Sequence, residues 1–254
     1  MSRIKEAIIL AGGLGTRLRS AVPDLPKCLA PVAGRPFIGY VTDYFRQQGI
    51  EKFIFALGYK SSYFDEFFQA AFPDGGYEVS LEDEPLGTGG AIRQACGLGK
   101  EKTVLILNGD TFFRIGLERL SDFHEDSRAD CSLCLKPMEN FDRFGVVELD
   151  ADGRVTRFRE KQHYTSGLIN GGVYALDREA FLRGQWPPVF SFEKDYLERV
   201  VAERGTRDRA AGDRSASDAP AGDRLFGLVQ DNYFIDIGIP ADYRRVQEEF
   251  KKSL

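Results

Sequence analysis

Short apolar runs recur along the first half of this chain with amphipathic stretches between them, and that alternation restricts the fold more than any other feature. Residues 5–10, 52–57, 77–81 and 103–107 read as strands, and the fourth is almost wholly apolar, as a strand covered on both faces must be. Between them lie helix patterns at 36–48, 61–71 and 88–96. The first carries Phe37, Tyr40, Val41, Tyr44 and Phe45 at i, i+3, i+4, i+7 and i+8, and Gly49 stands where a C-cap is needed. Strands alternating with helices predict an α/β fold, a Rossmann-like and mostly parallel sheet flanked by helices. After a helix near 117–125 the pattern changes to strands at 131–135, 145–149, 155–160 and 168–176 with turns such as Asp152-Gly153, which predicts a smaller antiparallel β region. Helices near 192–203 and 240–250 close the chain.

At 254 residues the chain is read as one domain, with a first half at 1–128 and a second at 129–254. From Gly205 to Arg224 there is no large apolar residue, and Ala211-Gly-Asp-Arg214 recurs as Ala221-Gly-Asp-Arg224. Such a segment cannot offset its ordering entropy, so it is expected to be a mobile insertion without a catalytic role.

A net charge of -5 leaves no basic surplus for a nucleic-acid backbone or an anionic membrane, so neither is an expected partner. The opening apolar run stops at two glycines, too short for a membrane span or a signal peptide, and the expected compartment is the cytoplasm. Cys131 and Cys134 form a C-x-x-C, but no second pair exists for a structural zinc, and Cys131, Leu133 and Leu135 alternate as core residues of a strand. The two histidines, His124 and His163, are too few for a histidine metal cage. A monomer and a homodimer are equally compatible with the sequence.

The strongest chemical signal follows the first strand: Leu10-Ala11-Gly12-Gly13-Leu14-Gly15-Thr16-Arg17-Leu18, then Pro26-Lys27. Closely spaced glycines let backbone N–H groups approach a phosphate, and Arg17 and Lys27 supply cations for a polyphosphate. A dinucleotide fingerprint would need glycine where Leu18 stands, and a phosphate-binding loop of the Gly-Lys-Ser/Thr type is absent. Asp110 follows Asn108-Gly109 at the carboxyl end of a buried strand, the edge where open α/β sheets bind ligands. Asp236 is enclosed by Phe234, Ile235 and Ile237, and a carboxylate in such surroundings requires a partner or a metal. Two carboxylates with phosphate oxygens suit Mg2+, although either aspartate alone could cap a helix or a turn.

Together with Glu84-Pro-Leu-Gly-Thr-Gly-Gly-Ala-Ile92, Leu107-Asn-Gly-Asp-Thr-Phe-Phe113 and Tyr233-Phe-Ile-Asp-Ile-Gly-Ile-Pro240, these motifs resemble the sugar-1-phosphate nucleotidyltransferases from Ile8 to about Tyr243. The resemblance implies a nucleoside triphosphate and a sugar 1-phosphate as partners and Mg2+ as cofactor, with Asp110 and Asp236 as its ligands. It implies a nucleotide site of Leu10, Ala11, Gly12, Gly13, Gly15, Thr16, Gly87 and Thr88. Glu84 is positioned to accept hydrogen bonds from a purine, and guanine, with adjacent N1–H and N2–H donors, suits a carboxylate; GTP is therefore favoured. A sugar pocket of Asn108, Gly145, Glu160, Asn170 and Gly171 is implied as well, with Lys161 on the sugar phosphate. Alone, Glu160-Lys161 would read as a solvated charge pair. Phe112, Phe113 and Phe141 either wall this pocket or pack the core. The implied chemistry is attack of the sugar phosphate on the α-phosphorus with loss of pyrophosphate, Arg17, Lys27, Asp110 and Lys161 being the catalytic candidates. Two alternatives stay open: another base and sugar, such as UTP with a hexose or amino-sugar phosphate, and a non-catalytic nucleotide-sugar sensor.

Overall fold

The computed structural model of the chain describes residues 3–13, 18, 22–58, 60–211 and 223–251, and of 207–211 the backbone alone. The apolar run at the start forms β1 (Glu6–Leu10). A small ribbon, β2 (Pro31–Val32) with β3 (Arg35–Pro36), leads into α1 (Phe37–Gln47). Then come β4 (Lys52–Leu57), α2 (Asp65–Ala71), β5 (Tyr77–Leu81), α3 (Gly87–Cys96) and β6 (Thr103–Asn108). These four strands run parallel in the order β5-β4-β1-β6. The chain therefore winds one way from β1 and the other way to β6. A crevice opens at the carboxyl ends of β1 and β6, the point where such sheets bind ligands.

The second half continues the same sheet. After β7 (Thr111–Phe113) and α4 (Leu117–Asp126) come β8 (Cys131–Phe141), β9 (Val146–Leu149), β10 (Val155–Arg159) and β11 (Tyr164–Asp177). The fourteen residues of β11 explain how the antiparallel region is attached. Its last five pair antiparallel with β6, while its earlier part projects beyond the sheet between β8 and β9. The antiparallel region is thus an outgrowth of the main sheet and shares its core. Helix α5 (Arg178–Arg183), a π-helical turn at Phe192–Glu198 and α6 (Arg199–Ala211) follow. Strand β12 (Leu225–Val229) returns parallel to β8, a crossover where only hairpins were expected. Strand β13 (Phe234–Asp236) pairs with β7, and α7 (Pro240–Lys251) ends the described chain.

Both faces of the sheet are covered, with the period of two that a strand imposes. Ala7, Ile9, Phe53, Phe55, Leu105 and Leu107 face one core, which receives Val41 and Phe45 of α1 and Phe250 of α7. Ile8, Ile54, Val104 and Ile106 face the other, closed by Ile92 of α3, Phe181 of α5 and Tyr196 of the π-helical turn. Tyr40 and Tyr44 sit at the margin of α1, where their hydroxyls donate to the carbonyls of Val32 and Ile115. Short strands such as β13 gave no periodic signal, because three residues cannot display a period.

All four cysteines are buried and free, as expected for packing residues. His124 is buried and bonded to Ser132, and His163 is exposed. Only the two ends of the segment read as an insertion, 205–211 and 223–224, are described. Residues 205–211 belong to α6, while the Arg224 guanidinium pairs with the fully buried Asp130 carboxylate. Arg204, itself buried, donates to the Asp223 carbonyl at 3.4 Å. The remainder of the insertion, 212–222, lies outside the described residues.

Candidate active site

Two cavities of about 940 and 340 Å³ open at the carboxyl ends of β1 and β6 and share Asn108, Asp110 and Glu193 as a common wall. The larger takes Leu10, Ala11, Gly12 and Gly13 from the end of β1, Lys27 beyond it, and Glu84, Gly87 and Thr88 at the start of α3. The smaller takes Gly145, Lys161, Asn170, Gly171 and Asp236. Most residues implied for the nucleotide therefore line one cavity, and most implied for the sugar line the other. Gly15, Thr16 and Arg17 lie outside the described residues. Glu160 is the exception among the described candidates. It is exposed and lines neither cavity, because it ends the segment past β10 while only its neighbour Lys161 turns inward.

Backbone register brings the distant acids together. The Gly109 N–H donates to the Leu10 carbonyl, which locks the end of β6 to the end of β1. In the β7–β13 ladder Asp236 stands opposite Thr111, and the Ile237 N–H donates to the Asp110 carbonyl at 3.0 Å. Lys27, on a single turn at Lys27–Leu29, completes the cluster. Its Nζ lies 2.5 Å from Asp110 Oδ2 and 3.3 Å from Asp236 Oδ1, and its side chain is 10% exposed. Arg143, not anticipated from sequence, approaches Asp236 Oδ2 at 3.8 Å and also pairs with Asp242.

Two carboxylates converging on one cationic centre suit a hard divalent ion. In this structure the Lys27 ammonium stands between the two acids, and the backbone approaches so closely that a Cβ at Gly238 would lie 2.7 Å from Asp236 Oδ1 and 2.9 Å from that ammonium. Among the described residues no group of three or more His, Cys, Asp or Glu could hold a metal. Asp110 and Asp236 could supply two oxygens to such an ion, with water or phosphate oxygens for its other positions. Cys28, at the cavity floor, is held as a thiol, since burial and then the Asp110 charge push its pKa up to about 12.

Helix α3 begins at Gly87, where φ is +71° and a Cβ would strike the Phe190 carbonyl, so only glycine fits. The N–H groups of Gly89 and Gly90 both point to that carbonyl, at 2.9 and 3.4 Å. Of the four small residues opening α3, only Gly87 and Thr88 therefore face the larger cavity. The acidic lining is broader than the sequence reading anticipated. Glu82 accepts from the Leu86 N–H at 2.9 Å and directs its other oxygen toward Gly12, while Glu84 is exposed on the rim. Lys60 also lines this cavity, in a left-handed conformation with φ of +74°.

Phe112 and Phe113 are buried in the core with Phe250 and Phe234 as ring partners, and Phe141 is buried against Tyr164. The aromatic walls of the smaller cavity are Phe144, Tyr174 and Phe234.

Residues 6–253 match the protein family described as nucleotidyl transferase. A D-glycero-alpha-D-manno-heptose 1-phosphate guanylyltransferase of Aneurinibacillus thermoaerophilus is 41% identical over 97% of this chain and 98% of its own. A protein of the same name from Campylobacter jejuni is 39% identical over 94% and 96%. Among solved structures, HddC from Yersinia pseudotuberculosis complexed with GMP-PN superposes with a TM-score of 0.80 at 31% identity, covering 97% of this chain and 100% of that one.

Proposed function

The chain belongs to the nucleotidyl transferase family, and from that premise we propose that it joins GTP to D-glycero-α-D-manno-heptose 1-phosphate, forming the GDP-sugar and releasing pyrophosphate. The observation that carries this reading is the shared wall: one cavity large enough for a nucleotide and one of sugar size meet at Asp110, beside the Lys27 cluster. The named activity and the GMP-PN complex of the relatives support the choice of base and sugar.

The sugar phosphate is already anionic near neutral pH, so its attack on the α-phosphorus needs no general base. The barrier lies in gathering several negative charges in line, and preorganised charge and positioning lower it. Lys27 lines the larger cavity beside Asp110 of the shared wall, where its ammonium meets the charge that develops as the P–O bond to pyrophosphate lengthens. Arg17 is assigned to the triphosphate, and Lys161 to the sugar phosphate from the far side of the smaller cavity. Asn170 and the backbone at Gly145 and Gly171 present hydrogen-bonding groups to sugar hydroxyls. Asn108, on the wall, bounds both substrates. In the larger cavity Leu10 to Gly13 form the floor under the nucleotide, Thr88 faces it from α3, and Glu84 accepts from the guanine edge. Asp110 and Asp236 would hold Mg2+, which supplies Lewis-acid neutralisation of the phosphate oxygens when bound. The first half of the chain contributes most of the nucleotide side and the second half most of the sugar side, with Glu193 and Gly238 reaching across.

The test is pyrophosphate release with four nucleoside triphosphates against a panel of sugar 1-phosphates. GTP with the heptose 1-phosphate should give the highest kcat/KM. A preference for UTP with a hexose or amino-sugar phosphate would replace this assignment, and binding without turnover of any pair would identify a sensor.

A further inference from the structure

Glu193 lies on the π-helical turn, far in sequence from every motif, yet its carboxylate forms part of the wall between the two cavities. Single π-type turns are rare and recur at functional sites. Reciprocal capping pins this one. Ser191 Oγ accepts from the Lys194 N–H at 3.2 Å, and Asp195 Oδ2 accepts from the Ser191 N–H at 2.7 Å. Burial of Phe192, stacked edge-on against Tyr174, then aims the next side chain at the wall.

The hydrogen bonds around Glu193 have only one consistent direction. A carboxylate only accepts. Thr88 Oγ1 takes the Phe192 N–H at 2.8 Å and so donates its own proton to Glu193 Oε2 at 3.2 Å. The Tyr174 hydroxyl donates to Glu193 Oε1 over a long 3.5 Å and is thereby left to accept from Asn170 Nδ2 at 2.8 Å. Burial and then the neighbouring Glu193 charge push the Tyr174 phenol well up, so it keeps the proton it donates. Asn170 Oδ1 is set in turn by the Gly172 N–H at 3.1 Å.

We infer that Glu193 is a positioning residue that sets the orientation of the Asn170 amide in the sugar pocket through Tyr174, and of the Thr88 hydroxyl in the nucleotide pocket directly. This rests on the reading of the two cavities given above. The Gly172 N–H holds Asn170 Oδ1 and the Glu193–Tyr174 pair holds Asn170 Nδ2, so sugar selection depends in part on a residue that lies on neither sugar motif.

Two measurements judge it on the full-length enzyme. The first needs no substrate: the Asn170 side-chain NH2 signals in an amide NMR spectrum, identified by their loss in N170D. E193Q, which presents an N–H where only acceptors stood, and Y174F should both move these signals, with E193D moving them less. If E193Q leaves them in place, the relay is overturned whatever the enzyme's substrates prove to be. The second is a double-mutant cycle on pyrophosphate release, with the fastest pair from the substrate panel. Y174F should raise KM for the sugar 1-phosphate about tenfold, the loss expected for one oriented hydrogen bond, with KM for the triphosphate held within about twofold. E193Q should raise both KM values, yet cost the sugar almost nothing further in the Y174F background, since coupled partners are not additive. Multiplying losses would overturn the inference, as would a fall in kcat alone with both KM values unchanged. Failure of every pair in the wild-type enzyme would refute the proposed reaction, while the amide signals still decide the relay.

Discussion

Lys27→Met tests the central cluster most directly, because methionine keeps the length and packing of the side chain and removes only its charge. The ammonium stands 2.5 and 3.3 Å from two carboxylate oxygens and its side chain is 10% exposed. At an effective dielectric of about 20, a unit pair some 3 Å apart attracts by on the order of 5 kcal/mol. Desolvation offsets part of that, and the 38% exposure of Asp110 screens more of it. That attraction holds the ammonium in place; its effect on rate is that of one preorganised charge aimed at the transition state, about 3–4 kcal/mol, a loss of roughly 10²–10³ in kcat/KM. The same change leaves two carboxylates facing one another in the resting enzyme. In EDTA the variant should melt below wild type by a few degrees, at about 2–4 °C per kcal/mol for a chain near this size. Added Mg2+ should then raise its melting temperature more than that of wild type, since the acids no longer have the ammonium between them. Pyrophosphate release and thermal melts with and without Mg2+ are the assays. A kcat/KM within tenfold of wild type, or a variant in EDTA at least as stable as wild type, would refute the electrostatic argument.

Three further outcomes are expected. Glu84→Gln should lower the preference for GTP over UTP by about tenfold, as a lost charged hydrogen bond requires; if Glu82→Gln does so and Glu84→Gln does not, the base is read one turn nearer Gly12. His124 is held neutral mainly by burial, its pKa lowered to about 4, whereas the unfolded chain takes its proton near 6.5. The unfolded state thus binds more protons across that window, and stability falls as pH drops through it, by about 2 kcal/mol between pH 7.5 and 5; denaturant titrations of His124→Gln should show a correspondingly flatter pH dependence. Removing 212–222 and bridging the ends with a short glycine linker should leave pyrophosphate release within twofold, because those residues offer no large apolar side chain to a core.

How far the sequence reached follows from the range over which each signal acts. Strand β4 and helix α1 were legible because a two-residue or 3.6-residue period needs only local sequence, and both fall at 52–57 and close to 36–48 as read. Lys27, Asp110 and Asp236 could be singled out because contiguous residues around them resemble a known family, and the structure brings the three side chains together. Glu160, next to Lys161, matched the motif but lines neither cavity, since whether a side chain enters a cavity depends on how the chain leaves β10, which adjacent residues do not encode. Glu193, Arg143 and the two ends of the insertion were invisible, since each gains its meaning from a partner far along the chain, Glu193 from Thr88 and Tyr174, Arg143 from Asp236, Arg224 from Asp130.

Sequence alone thus determined most of the strands and helices and the kinds of charged and small residue gathered at the sheet's edge, all set by nearest neighbours and by residue chemistry. Only the tertiary structure decided that Asp110 and Asp236 share one ammonium, that the antiparallel strands extend the parallel sheet, and that a carboxylate on a π-helical turn stands between two pockets. Register between β7 and β13 and the length of β11 set those relations, and pairing between distant segments exists only once the chain has folded.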